Sequence, residues 1–162
     1  MPPPPRLHVV LYEPEIAANA GSVGRTCVAV GAKLWMVRPL GFQIDDRRLR
    51  RAGLDYWQHL DWEDAQDWAT LEARLAAARM WFFTKKAERS YIEPTFAPGD
   101  ALVFGSESRG LPDALLRECG ERALRIPIRP EVRSLNVSNS VAVAVYECLR
   151  QWGAGGELQI GH

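Results

Sequence analysis

Histidine, cysteine and lysine each occur only three times in this chain of 162 residues. Cys27, Cys119 and Cys148 lie far apart, form no CxxC pair and make no ligand spacing with His8, His59 and His162. That pattern excludes a disulfide scaffold and gives no basis for a structural metal site. Each cysteine sits in an apolar stretch and reads as a small buried hydrophobe. No stretch approaches the roughly 18 apolar residues of a membrane-spanning helix. The opening Met1-Pro-Pro-Pro-Pro-Arg6 has no apolar signal core, so a cytoplasmic protein is expected. Net charge is missing too, because 20 Lys and Arg balance 20 Asp and Glu. Without a global field to gather a polyanion, any such site must be a local patch.

The chain is 47% hydrophobic and 25% charged, which fits a soluble globular domain. A chain this long buries roughly 70% of its unfolded surface and builds a core unaided. Its basic residues are 17 Arg against 3 Lys. Arg suits planar, bidentate contact with phosphate, although Arg-rich codon usage accounts for the count equally well. The charges are segregated. Residues 47–51 hold four Arg, and Arg122, Arg125, Arg129 and Arg133 form a second group. Asp55 to Glu72 holds six acids and no Lys or Arg. Within a neutral chain, this separation favours a directed basic surface.

Short apolar runs predict strands at Leu7–Tyr12, Leu34–Val37, Met80–Thr84, Ala101–Phe104 and Leu124–Ile128. Helices are expected from Ala20 to about Val30 with Asn19 as cap, over Trp62–Ala78, over Leu111–Cys119 with Pro112 in the first turn, and over Ser138–Trp152. Asp45–Ala52 reads as a short charged helix or turn. Near-continuously apolar strands alternating with helices predict an α/β domain whose mostly parallel sheet is flanked by helices. The expected layout is a proline-rich tail over residues 1–6, one domain over 7–152 and a flexible tail over 153–162. The final helix carries an apolar arc of Val137, Val141, Ala144, Val145, Cys148, Leu149 and Trp152, wider than one sheet face needs. That surplus predicts a homodimer.

Ligands of open parallel sheets bind beyond the carboxyl ends of the strands, and three such ends are unusual. Asn19-Ala-Gly-Ser-Val-Gly-Arg25 places small residues and free N–H groups at a helix start, which favours an anion. Gly105-Ser-Glu-Ser-Arg-Gly-Leu-Pro112 follows the fourth strand. It is neither a GxGxxG dinucleotide loop, nor a Walker loop, nor a GxSxG nucleophile elbow. Ile126-Pro-Ile-Arg-Pro-Glu-Val-Arg-Ser-Leu-Asn-Val-Ser-Asn139 brings Arg, Ser and Asn before the last helix, where Asn136 or Ser138 serves as cap.

Together, in order and spacing, these segments resemble the three motifs of the SpoU–TrmD (SPOUT) RNA methyltransferases, from about Leu7 to Trp152. Leu11-Tyr-Glu-Pro-Glu-Ile16 and Asp46-Arg-Arg-Leu-Arg-Arg-Ala-Gly-Leu-Asp-Tyr56 resemble more narrowly the small bacterial members that methylate the ribose of the tRNA wobble nucleotide. Ser106 departs from the pattern, since close relatives often carry Pro there. The resemblance implies a C-terminal trefoil knot, which nothing in the composition or periodicity suggests. It implies S-adenosylmethionine as cofactor, held by Phe83, Gly105, Ile126, Ser134 and Leu135. It places Asn19, Arg25, Glu107 and Asn136 at catalytic or substrate positions. It also implies an obligate homodimer whose sites use both chains, with a tRNA anticodon stem-loop as partner. No metal and no membrane are expected.

The chemistry suits these residues. A ribose 2′-hydroxyl is too weak an acid to ionise at neutral pH, so it must be oriented and relieved of its proton. Arg25 is the candidate for orientation and charge stabilisation, with Glu107 or a substrate phosphate sharing the proton. Two other readings stand beside this one: a methyltransferase for ribosomal RNA or another tRNA site, and an inactive RNA-binding module of the same fold. The joint presence of Arg25, Glu107 and Asn136 opposes the inactive module. The absence of a separate RNA-binding domain favours a small exposed substrate.

Overall fold

The computed structural model describes residues 5–45 and 47–153. Nearly all of both predicted tails therefore lies outside the described residues. Six strands form one sheet: β1 (His8–Tyr12), β2 (Lys33–Val37), β3 (Trp62–Ala65), β4 (Met80–Phe83), β5 (Ala101–Phe104) and β6 (Ala123–Leu124). Their spatial order is β3-β2-β1-β5-β4-β6, and every pairing is parallel. The strands are apolar on both faces because both faces are covered. Val9, Leu11, Leu34, Met36, Leu102 and Phe104 point into one core. There they meet Val23 and Cys27 of α1 (Ala17–Val30), Leu49 of α2 (Arg47–Gly53) and Val141, Val145 and Cys148 of α5 (Val137–Gln151). Val10, Trp35, Val37, Phe82 and Val103 point into the other, against Leu71 of α3 (Trp68–Arg74) and Cys119 of α4 (Asp113–Cys119).

Four expectations are corrected. The helix predicted over Trp62–Ala78 is a strand followed by a helix. Asp67 divides them, its carboxylate accepting the Thr70 N–H at 2.8 Å as the cap of α3. Trp62–Ala65 is instead one of the two edge strands, with Glu63 paired to Lys33 and Arg74, and Asp64 to Arg38. The strand predicted over Leu124–Ile128 ends at Leu124, before Pro127, whose ring nitrogen cannot donate to a ladder. Helix α1 begins at Ala17, with Ile16 at the N-cap, so Asn19 lies inside its first turn. Pro112 is itself the N-cap of α4.

The apolar arc of α5 is not surplus surface. Val141, Ala144, Val145, Cys148 and Leu149 are all buried inside their own chain. The exposed apolar side chains of α5 are Val143 and Tyr146. All three cysteines are buried as well. Burial pushes the thiols of Cys27 and Cys148 up to about 12, so neither is a ready nucleophile.

One polar group anchors the turn before β5. Asp100 is 3% exposed. Its Oδ2 accepts from Trp81 Nε1, Arg79 Nη2 and the Ala97 N–H, each at 2.9 Å. Asp100→Ala leaves the buried indole N–H without an acceptor. It should destabilise the protein by roughly 2–4 kcal/mol, read as a lower urea midpoint at unchanged slope. An unchanged midpoint would refute this account of the turn.

Candidate active site

The sheet order changes direction where β5 lies beside β1, and the loops leaving these two strands are clasped together. Ile16 offers no side chain to cap α1. The Glu107 carboxylate, from the loop after β5, does so instead. It accepts the Glu15 N–H at 3.0 Å, the Ile16 N–H at 2.7 Å and Asn19 Nδ2 at 3.3 Å. A carboxylate at this end of a helix satisfies orphan donors and suits the dipole. The clasp is reciprocal, because Glu15 accepts the Ser108 hydroxyl at 2.6 Å and the Ser108 N–H at 2.9 Å. The hydrogen bonds from Ser108 hold the Glu15 carboxyl below its usual range. The contribution of Glu15 is therefore present above the unfolded-state pKa and is lost only as pH falls through the lowered folded value.

The loop itself is tight. The Gly110 N–H donates to the Ser106 carbonyl at 2.9 Å. A Cβ at Gly105 would stand 2.2 Å from the Gly110 carbonyl carbon and 2.4 Å from the Leu111 nitrogen. Gly105 thus has a steric role that its place in a glycine-containing motif does not specify.

The third segment joins through Asn19. Asn136 caps α5 by accepting the Ser138 N–H at 2.9 Å, and its Nδ2 donates to Asn19 Oδ1 at 3.0 Å. Glu107, Asn19 and Asn136 come from three separate motifs and form one hydrogen-bonded row. The row borders a cavity of about 600 Å³. Phe83, Gly105, Ile126, Ser134 and Leu135 line the same cavity. Eight of the nine residues singled out in the sequence therefore meet at one place. The ninth does not: Arg25 lies outside the cavity. It is six positions beyond Asn19 on α1, about 9 Å along the axis and on another side of the helix.

Sequence reasoning missed three things. The clasp between Glu15 and Ser108 left no signal beyond two polar residues in separate motifs. Lys85 and Lys86 also line the cavity, and their position directly after an apolar strand could have marked them. Gly24 stands in the first motif as one of the small residues that favour an anion. The structure gives it another use, since a Cβ there would meet Leu60 at 3.0 Å and the Trp57 ring at 3.1 Å.

Comparison with known proteins extends this geometry. A model of the SpoU rRNA Methylase family matches residues 6–146. The chain belongs to this family. A SpoU relative from Burkholderia ambifaria, a tRNA (cytidine(34)-2′-O)-methyltransferase, is 47% identical over 152 residues, covering 92% of this chain and 97% of its own. A solved structure concerned with 2-OH methylation of C/U34 on tRNA superposes with a TM-score of 0.87 at 46% identity, covering 91% of this chain and 97% of that one. The crystal structure of an RNA 2′-O ribose methyltransferase gives 0.82 at 28% identity, over 94% of this chain and 58% of the other. The parallel sheet described above is thus the SpoU fold. Among the described residues, no helix is long and apolar enough to cross a membrane. No group of three or more His, Cys, Asp or Glu there is arranged to hold a metal ion.

Proposed function

We propose that the protein transfers a methyl group from S-adenosylmethionine to the ribose 2′-hydroxyl of nucleotide 34 in the anticodon loop of tRNA, in the cytoplasm. The carrying observation is the row Glu107–Asn19–Asn136 beside the cavity, in a chain 47% identical to a tRNA (cytidine(34)-2′-O)-methyltransferase. The cavity fits the methyl donor in size and in chemistry. The Phe83 and Phe104 rings stack at 4.7 Å on its wall, and Leu135, 37% exposed, offers an apolar side chain that its own chain does not cover. Phe83, Gly105, Ile126, Ser134 and Leu135 would hold the donor, which supplies an electrophilic methyl on a sulfonium. Among the described residues, Lys85 has no carboxylate partner, which leaves it available to an anionic end of the donor, whereas Lys86 is paired with Asp113.

The chain's own residues then have distinct tasks. Asn19 and Asn136 present amide groups to ribose hydroxyls. Glu107 already accepts three N–H donors, so it fixes Asn19, and Glu107 or a substrate phosphate shares the proton of the 2′-hydroxyl. Arg25 orients that phosphate and offsets charge developing on the 2′-oxygen. Since Arg25 is outside its own cavity, we infer that it serves the cavity of a second copy in a homodimer. Val143, Tyr146 and Ile16 are exposed apolar side chains available to that interface. Arg47, Arg48 and Arg51 lie exposed on α2, which packs along α1. They would bind phosphates without reading bases, so affinity should fall steeply with salt. The return of the chain from β6 at the sheet edge to α5 against α1 supports the knotted threading.

The test incubates the protein with labelled S-adenosylmethionine and with bulk tRNA and ribosomal RNA separately, then maps the product. Label is expected in tRNA alone, as a 2′-O-methyl at the wobble ribose. Label in a base, in ribosomal RNA or at another tRNA ribose would overturn the proposal.

A further inference from the structure

We infer that Tyr56 is a positioning residue for Arg25, holding its guanidinium in place while leaving every donor free for the substrate. The inference rests on the reading of Arg25 given above. The guanidinium carbon of Arg25 lies 5.1 Å from the centroid of the Tyr56 ring. Of the other cations on aromatic faces, three are also tied to carboxylates, whereas Arg89 and Arg122, over Trp81 and Phe82, make no ion pair among the described residues. Arg74 bonds Glu63, Arg79 bonds Asp100 and Lys33 bonds Glu63. Arg25 makes no ion pair among the described residues.

That difference has a chemical consequence. A carboxylate fixes an Arg by accepting its N–H groups and cancelling its charge. A ring face fixes the same side chain through the charge alone. All five N–H donors stay unspent, and the fork is ready for a phosphate or a ribose oxygen. A free Arg at this exposed position would lose side-chain entropy on meeting the substrate, and the ring removes part of that loss beforehand.

The placement of the ring is built into the fold. Tyr56 belongs to the 3₁₀ turn Leu54–His59 that follows α2. The turn is seated on α1 at Gly24, the residue before Arg25, where only a missing Cβ admits Trp57 and Leu60. Leu60 is buried, and Trp57 packs on Trp62 with ring centroids 5.5 Å apart. Tyr56 itself is 41% exposed. Its neighbours thus supply the anchoring, and its own ring faces the arginine.

The experiment is a double-mutant cycle on the full-length protein with tRNA and saturating methyl donor. Tyr56→Leu should lower kcat roughly tenfold, with KM for tRNA and the melting temperature nearly unchanged. Tyr56→Phe, which keeps the ring, should restore most of that rate. In the Arg25→Ala background, adding Tyr56→Leu should cost no more than twofold, measured in single turnovers. Should Tyr56→Leu melt early, Tyr56→Gln carries the same comparison. Three results would overturn the inference: an unchanged kcat in Tyr56→Leu, an equal loss in Tyr56→Phe, or the same tenfold loss without Arg25. A rise in KM alone would also overturn it, making the ring an RNA contact. The site of the methyl group in the wild-type product judges the reading of the reaction separately. The coupling between the two residues can be measured on whichever product forms.

Discussion

Arg25→Ala should lower turnover by about 10²–10⁴-fold while leaving the affinity for S-adenosylmethionine at its wild-type value. The split follows from position. Arg25 lines no part of the cavity that holds the other eight candidate residues, so removing it leaves the donor site intact. The loss falls on the 2′-oxygen, which must gain negative charge as its proton leaves. Isothermal calorimetry reads the affinity, and single-turnover kinetics reads the rate. Equal losses in both would mean that Arg25 belongs to the donor site. The proposed homodimer adds a sharper outcome. Mixing Arg25→Ala subunits with subunits disabled at Gly105 should restore up to about a quarter of the wild-type rate, because one class of cavity then draws an intact Arg25 from one chain and an intact loop from the other. No recovery on mixing, with subunit exchange verified, would place Arg25 in its own chain's reaction.

Gly105→Ala should sharply weaken donor binding. The new methyl group would lie 2.2 Å and 2.4 Å from backbone atoms of Gly110 and Leu111. Backbone on both sides cannot yield as a flexible side chain can, so the loop must open. Opening it moves Glu107 off the α1 terminus and parts Asn19 from Asn136. The strain and lost contacts should cost roughly 1–3 kcal/mol of stability, and donor affinity should fall at least tenfold on the scale of one lost hydrogen-bonded wall. Gly110→Ala is the control. Gly110 has φ 68° but nothing within 4 Å of its Cβ position, so the cost there is only the left-handed backbone, about 1–2 kcal/mol. If Gly105→Ala bound the donor as tightly as Gly110→Ala, the steric account of the loop would be wrong.

What could be read from the residues, and what could not, divides along physical lines. Strands apolar on both faces announce a buried parallel sheet, so β1, β2, β4 and β5 were legible almost to the residue. The edges were not. Trp62 and Trp68 belong to different elements because Asp67 turns its carboxylate back onto Thr70, and a hydrophobic period cannot show that break. The three motifs carried seven residues into one cavity and the end of β4 added Phe83, because order and spacing encode which loops leave the strands at one end of the sheet. They did not show that Glu107 caps a helix that begins 90 residues earlier in the chain, since local capping rules look only at neighbours. They placed Arg25 with the rest, although its helical phase directs it elsewhere. The arc of α5 misled for a related reason: apolar width does not distinguish a face turned to the sheet and α1 from one turned to another subunit.

The cap on α1 also bears on how the protein is made. During synthesis the first turn of α1 leaves the ribosome long before Glu107 does, and the N-cap residue Ile16 has no side chain to take the place of that carboxylate. Until the loop after β5 emerges, the nascent helix lacks its cap, and its opening turn frays. The row of Glu107, Asn19 and Asn136 thus has no partial form on the growing chain. Asn19 gains the carboxylate that holds its amide only once the loop after β5 has been made, so the row through Glu107, Asn19 and Asn136 assembles in one late step.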